Sequence, residues 1–271
     1  MTPILGLVVT ASGLLGLLVG SFLNVVAVRV PVGASLVRES RCPHCDAAIK
    51  RWHKIPVGGW LILRGRCASC GNGISPRYPI VEAVTGLLFA AVAWLVLATG
   101  TAPLPASCVV LVAFLYFAAI SVVLTLIDLD THRLPDAIVL PSYVVAGALF
   151  TLACVLGADW SHLLGAGLGM ALLYAFYFLL RLVRPDGMGG GDVKLAGVVG
   201  VYLGWLGWGA LAVGAFAAFV LGGVFGLLLI AARRAGRRSA IPFGPWMLAG
   251  AWVGIVIGQA LGGWYVSLLT I

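Results

Sequence analysis

Eight apolar runs, separated by loops that are alternately basic and free of basic residues, leave this chain few folds to choose from. The runs cover about 5–28, 80–99, 104–127, 137–156, 162–183, 192–206, 208–232 and 241–268. A bilayer crossing takes about 20 helical residues. The sixth run is too short for a simple crossing and is expected to be tilted, broken or re-entrant. With 62% of its 271 residues hydrophobic and 10% charged, the chain reads as an all-α polytopic membrane protein of about eight transmembrane helices. The first 28 residues carry no Lys, Arg, Asp or Glu. A secretory signal would have a basic start and a shorter apolar stretch, so 5–28 is expected to be a retained transmembrane helix.

The net charge of +8 invites a nucleic-acid reading. Its distribution excludes one. All 17 Lys and Arg fall in or beside 29–79, 128–136, 181–194 and 233–240, and the loops near 100–103, 157–161 and 207 have none. Basic loops stay on the cytoplasmic side. Those four regions are therefore expected to face the cytoplasm and both termini to face outward.

Residues 29–79 form the long polar insert. It holds Cys42-Pro43-His44-Cys45 and Cys67-Ala68-Ser69-Cys70, with 21 residues between the pairs. Two CxxC knuckles offer four thiolates to one tetrahedral zinc ion. A cytoplasmic insert disfavours disulfides, and four protein ligands leave no open position, so the metal is expected to be structural. An insert with few large apolar residues would draw folding energy from it. Gly71 and Gly73 suit the turn after the second knuckle. His44 and His53 read as surface histidines, with substitute ligation the lesser reading. Cys108 and Cys154, in apolar runs, read as small core residues.

Nine acidic residues occur in the chain, and a carboxylate at a helix centre in hydrocarbon costs roughly 2.5–3.5 kcal/mol. Asp130 and Asp186 fit solvated turns, Asp159 a solvated outer loop, and Asp136, after Pro135, a helix N-cap. Glu82 lies just inside the second run. Asp128 and Asp192 abut hydrocarbon and fit these explanations less well, although Asp192 could cap the sixth run. Gly187, Gly189, Gly190 and Gly191 remove side chains beside Asp192. That allows an extended peptide close approach or, equally, tight helix packing. Two carboxylates at close range share a proton and can activate water. Asp128 and Asp192 are therefore the candidate pair of an aspartic protease. No HExxH or GxSxG motif competes.

Taken in order, these residues resemble the prepilin peptidase, or type IV leader peptidase, family. The likeness runs through Gly20-Ser21-Phe22-Leu23-Asn24-Val25-Val26, the two CxxC pairs, and Ile55-Pro56 with Leu63-Arg64-Gly65-Arg66-Cys67. It continues through Pro76-Arg77-Tyr78-Pro79 with Glu82, Ile127-Asp128 to Leu134-Pro135-Asp136, Gly189-Gly190-Gly191-Asp192 and Ile241-Pro242-Phe243-Gly244-Pro245. The resemblance implies a GxGD-type aspartic endopeptidase of the bacterial inner membrane, with Asp128 preferred over Asp130 as partner of Asp192. It implies substrates that are type IV prepilins, or pseudopilins of secretion or competence machines, cut on the cytoplasmic side of their hydrophobic helix. It also implies N-methylation of the new N-terminus from S-adenosylmethionine, with Gly65 matching a methylation-linked glycine. Arg51-Trp52-His53-Lys54 stands where the family commonly has acidic or asparagine residues. The expected organisation is 1–28 as first helix, 29–79 as zinc-binding, methylation-linked insert and 80–271 as a seven-span peptidase domain. An ion-coupled transporter or a non-catalytic zinc-stabilised scaffold are the rival classes.

Overall fold

The computed structural model describes residues 3–37, 39–100, 102–184, 188–233 and 242–269, without the Arg51 side chain. The sequence readings of Asp186, Gly187 and Ile241 lie outside them. The regular structure of the described residues is helical, apart from two isolated bridges. The helices are α1 (Pro3–Arg29), α2 (Gly58–Ile62), α3 (Arg77–Thr99), α4 (Leu104–Thr131), α5 (Asp136–Val155), α6 (Trp160–Val183), α7 (Gly190–Leu206), α8 (Trp208–Ala231) and α9 (Gly244–Leu269). The chain divides into two compact units, 1–100 with 114–123, and 101–113 with 124–271.

In the first unit, α1 and α3 pair antiparallel. A Cβ on Gly16 would stand 2.7 Å from the Thr85 carbonyl, and one on Gly20 would stand 2.8 Å from Glu82 Cα. The insert leaves from the shared end of this hairpin, where two buried polar side chains brace α1 against α3 and the insert against α3. Asn24 Nδ2 donates to the Tyr78 carbonyl at 3.2 Å, and Glu82 Oε2 accepts the Val57 N–H at 2.6 Å. Val57 sits at φ +59°, where a β-branched residue is strained. The Glu82 bond secures that turn and the start of α2.

In the second unit the short sixth run becomes α7, and its 17 residues rise about 25 Å, short of the roughly 30 Å hydrocarbon core. Seven helices among the described residues are long and apolar enough to cross a membrane, and α7 is not one of them. The sequence singled out this run as too short for a simple crossing, and α7 nonetheless carries the chain back between α6 and α8. Twelve α7 residues are buried, which explains why the helix is apolar all round. Its C-terminal carbonyls, left open by helix geometry, are met by side chains. His162 Nδ1 bonds the Trp205 carbonyl at 2.8 Å, and Gln259 donates to the Leu206 carbonyl. A single residue, Gly207 at φ +120°, turns the chain from α7 into α8. Asp159, expected to be merely solvated, caps α6 by accepting the Ser161 N–H at 2.8 Å.

α6 and α7 run antiparallel at backbone contact, with Gly165 and Gly169 facing Gly204 and Gly200. α8 and α9 pair the same way, with Gly254 over Ala210. In hydrocarbon, helix association relies on such close packing. Cys154 is buried as expected, whereas Cys108 is exposed on α4 and is not a core residue.

A Gly200→Leu substitution drives its Cβ into the Gly169 carbonyl. It should lower the thermal midpoint of the detergent-solubilised protein, at an overpacking cost of about 1–3 kcal/mol or more. Gly167→Ala, inside α6 and facing open space, should hold the midpoint or raise it slightly in the same melting experiment, since alanine favours the helix by about 0.4–1 kcal/mol.

Candidate active site and metal centre

Five helix ends of the second unit meet at one place, and both candidate aspartates stand there. Asp128 lies on the last turn of α4 with 4% of its surface exposed. Asp130, two residues on, is exposed. Burial thus separates two residues that the sequence leaves adjacent. Asp128 Oδ2 accepts the N–H of Gly244 at 3.1 Å. Gly244 opens α9, and its amide is one of those a helix leaves unpaired at its start. A Cβ on Gly244 would stand 2.7 Å from Asp128 Oδ2, so glycine is what lets this backbone reach the carboxylate. α4 ends immediately afterwards. His132, at φ +52°, donates its N–H to the Asp128 carbonyl at 2.9 Å.

Asp192 is half-buried in the first turn of α7. Its Oδ2 accepts the Gly189 N–H at 3.0 Å. Gly189 is the N-cap residue, so Asp192 stands three residues inside the helix and reaches back to the cap, rather than being the cap itself. The two carboxylates lie within electrostatic reach of each other.

Leu134 joins the two sides. A Cβ on Gly191 would stand 2.9 Å from Leu134 Cβ, and one on Gly244 would stand 3.4 Å from Leu134 Cδ2. The side chain therefore lies against both the turn before Asp192 and the residue holding Asp128. Gly190 makes room for the Arg181 guanidinium, with Nη1 only 2.7 Å from where its Cβ would be. Of the glycines singled out in the sequence, Gly189 donates to a carboxylate, and Gly190 and Gly191 accept neighbouring side chains.

Asp136 does not cap α5. Pro135 takes the extended cap conformation. The Asp136 carboxylate instead receives Lys194 Nζ on both oxygens at 2.8 Å. The Tyr143 hydroxyl donates to the Lys194 carbonyl. On the far side, the buried Tyr177 packs on Phe219 at 5.6 Å and Phe243 at 6.1 Å between ring centroids, and its hydroxyl lies within electrostatic reach of Asp192. Sequence reasoning missed Leu134, Tyr143, Tyr177 and Lys194. The signal available for Lys194 was a lysine two residues into an apolar run.

In the first unit, the insert brings Cys42, Cys45, Cys67 and Cys70 together with all four sulfurs within 4.8 Å of one another. The two knuckles are the same hairpin used twice, 25 residues apart. Cys42 and Cys67 donate N–H groups to Ala47 and Asn72 at 3.0 and 2.8 Å, and accept those of Asp46 and Gly71 at 2.9 Å. Asp46 and Gly71 both turn left-handed, at φ +54° and +72°, and Asp and Gly tolerate that region best. Backbone N–H groups of Cys70 and Ser69 hold the Cys67 thiol down at about 6. Cys45 accepts from Ala47, which lowers it, but the crowding sulfur of Cys70, desolvation and the sulfurs of Cys42 and Cys67 push it up to about 12. Four sulfurs this close do not all ionise without a cation among them. Tetrahedral zinc, with bonds of about 2.3 Å, sets its sulfurs about 3.8 Å apart. The Cys42–Cys70 separation of 3.9 Å fits that. His44 and His53 are outside the ligand cluster.

Gly65 precedes the second knuckle at φ +66°, and a Cβ there would stand 2.8 Å from the Trp60 ring. Trp60 Nε1 donates to the Ile74 carbonyl at 3.0 Å, and the Ile74 N–H bonds the Gly65 carbonyl at 2.7 Å. The loop closes on glycine for conformational and steric reasons together. Beside the first knuckle is a cavity of about 500 Å³, lined among others by Arg29, Ser35, Glu39, Arg41, His44 and Asp46.

One buried and one half-buried carboxylate on helix ends, the second from a GxGD turn, suit an aspartic protease of the membrane-embedded class. Residues 14–96 match the bacterial peptidase A24 N-terminal domain, and residues 115–227 match the type IV leader peptidase family. The chain belongs to the type IV leader peptidase family. It is 34% identical to a prepilin leader peptidase/N-methyltransferase of Stutzerimonas stutzeri, over 93% of this chain and 92% of the relative. Similar proteins of the same name occur in Aeromonas hydrophila, 35% identical over 94% and 92%, and in Neisseria gonorrhoeae, 36% identical over 90% and 89%. Nothing in these relatives' names speaks for transport or a passive scaffold. No solved structure matches the chain.

Gly244→Ala tests the Asp128 contact. It should reduce peptide cleavage by about 10²-fold, the scale of a displacement near 1 Å at a reacting group, with little change in thermal midpoint. Initial rates and a melting curve on the same preparation check it.

Proposed function

We propose that this chain is a bifunctional prepilin peptidase of the bacterial inner membrane. It removes the short basic leader from type IV prepilins or related pseudopilins and methylates the new N-terminal amine. The observation that carries the reading is the pair Asp128 and Asp192, each held by a glycine amide, at one end of the second unit. Asp128 and Asp192 border the basic stretches 128–136 and 181–194 in the sequence, and in this reading the positive-inside rule assigns them to the cytoplasm with both termini outward. A cytoplasmic site suits a leader that ends where the substrate's hydrophobic helix begins.

Asp128 and Asp192 are the catalytic residues in this reading. Two neighbouring carboxylates share one proton. The ionised member removes a proton from water as its oxygen attacks the scissile carbonyl. The protonated member donates a hydrogen bond to the carbonyl oxygen and so stabilises the developing charge. Collapse of the tetrahedral intermediate breaks the C–N bond, and the proton taken from water passes to the leaving amine. The Gly189 and Gly244 amides each occupy one oxygen of a carboxylate, leaving the other for water or substrate. Gly190 and Gly191 keep Cβ atoms out of the turn beside Asp192.

Cys42, Cys45, Cys67 and Cys70 would hold a structural zinc ion, which supplies folding energy to the insert and no step of the cleavage. S-adenosylmethionine would supply the methyl group. The cavity beside the first knuckle has the volume of a small-molecule site, about 300–1,000 Å³, and carries acids and bases suited to a zwitterion. Gly65, in this reading, affects methylation by closing the Trp60 loop, which shapes the same insert.

Asp128→Asn and Asp192→Asn should each slow cleavage of a purified prepilin by about 10²–10⁴-fold, the usual range for a lost general acid or base, while both variants still methylate pre-cleaved pilin. Product masses read both activities at once. An Asp192→Asn enzyme cutting at the wild-type rate would remove the two-aspartate mechanism. Stripping the metal with a chelator should abolish methylation first and leave cleavage largely intact. Elemental analysis should find one zinc per chain lost in step with methylation.

A further inference from the structure

The ion pair between Asp136 and Lys194 spans the same gap as the two catalytic carboxylates. Asp136 follows Asp128 by eight residues, and Lys194 follows Asp192 by two. The intervening chain has little slack. His132 closes α4 onto the Asp128 carbonyl, and Pro135 fixes the entry to α5. Leu134, between them, lies against Gly191 and Gly244. About two turns further along α5, the Tyr143 hydroxyl holds the Lys194 carbonyl. α5 thus grips the start of α7 through both the side chain and the backbone of one lysine.

Folding alone gives this pair little reason to exist. The side chains of Lys194 and Asp136 are 37% and 54% exposed, and pairs that open to solvent add little to stability. α7 is already enclosed by its neighbours. Catalysis is more demanding, because misplacing a reacting group by 1 Å can cost about 10²-fold.

We propose that the Asp136–Lys194 pair is a latch that sets the separation of Asp128 and Asp192, with Leu134 as the spacer between them. Lys194 and Asp136 are then positioning residues for peptide cleavage. The proposal rests on the two-aspartate reading above. With the latch open, α5 and α7 stay packed, but the turns carrying the carboxylates drift and the shared-proton geometry is populated less often.

The test uses the full-length protein in detergent, with steady-state cleavage of a prepilin by Lys194→Met, Asp136→Asn and the double variant. Each single substitution should lower kcat about tenfold while KM stays within about twofold, the pattern of lost positioning rather than lost binding. The double variant should be no slower than the slower single, because both remove one interaction. Lys194→Arg should recover most of the rate, and methylation of pre-cleaved pilin should be unchanged throughout. The latch is overturned if the singles keep kcat within about twofold, if their losses multiply to about 100-fold in the double, or if KM alone changes. Should Lys194→Met fail to fold, Asp136→Asn decides alone: a folded variant at full rate overturns the latch. Full-rate cleavage by Asp192→Asn defeats the two-aspartate reading instead, whatever the latch variants do.

Discussion

A carboxylate at the edge of hydrocarbon must be met by hydrogen-bond donors, and here the donors are backbone amides at helix starts. Asp128 takes the Gly244 amide of α9, and Asp192 takes the Gly189 amide before α7. A helix N-terminus carries unpaired N–H groups and partial positive charge, so it stabilises an anion. Of the cations nearby, Lys194 is taken up by Asp136 and the Arg181 guanidinium packs against Gly190. The requirement for backbone contact also explains the glycines, since side chains there would strike the groups that the turns serve.

α7 follows from the same constraint. A helix of 17 residues enclosed by protein is freed from the length that a lipid-facing crossing demands. The cost is a C-terminal end that stops short, and His162 and Gln259 meet its carbonyls. Irregular backbone at membrane depth is tolerated where protein surrounds it, and Gly207 between α7 and α8 is such a place.

The first unit solves a different problem. Its insert has little apolar material for a core. It is organised by two copies of one knuckle, a tryptophan-backed loop at Gly65, and the tie from Glu82 to Val57. Glu82 is a buried acid whose partner lies 25 residues away, and the sequence alone put it just inside the second run without a role. The structure assigns it a backbone N–H that secures a strained turn.

The sequence by itself determined the helical membrane architecture, the four-cysteine cluster and the two aspartates worth examining. Each is a local signal: unbroken apolar length, ligand spacing within a turn, and a charge beside hydrocarbon. Tertiary structure decided what the local signals could not. Asp130 and Asp128 are two residues apart in one motif, and burial distinguishes them. Asp136 looked like a cap because it follows proline, but its partner lies 58 residues away. Asp192 fitted a cap until Gly189 took that position. Leu134, Gly244 and Lys194 gain their roles from helix ends brought together by packing, and pairings between distant segments leave no periodicity in a single chain to be read.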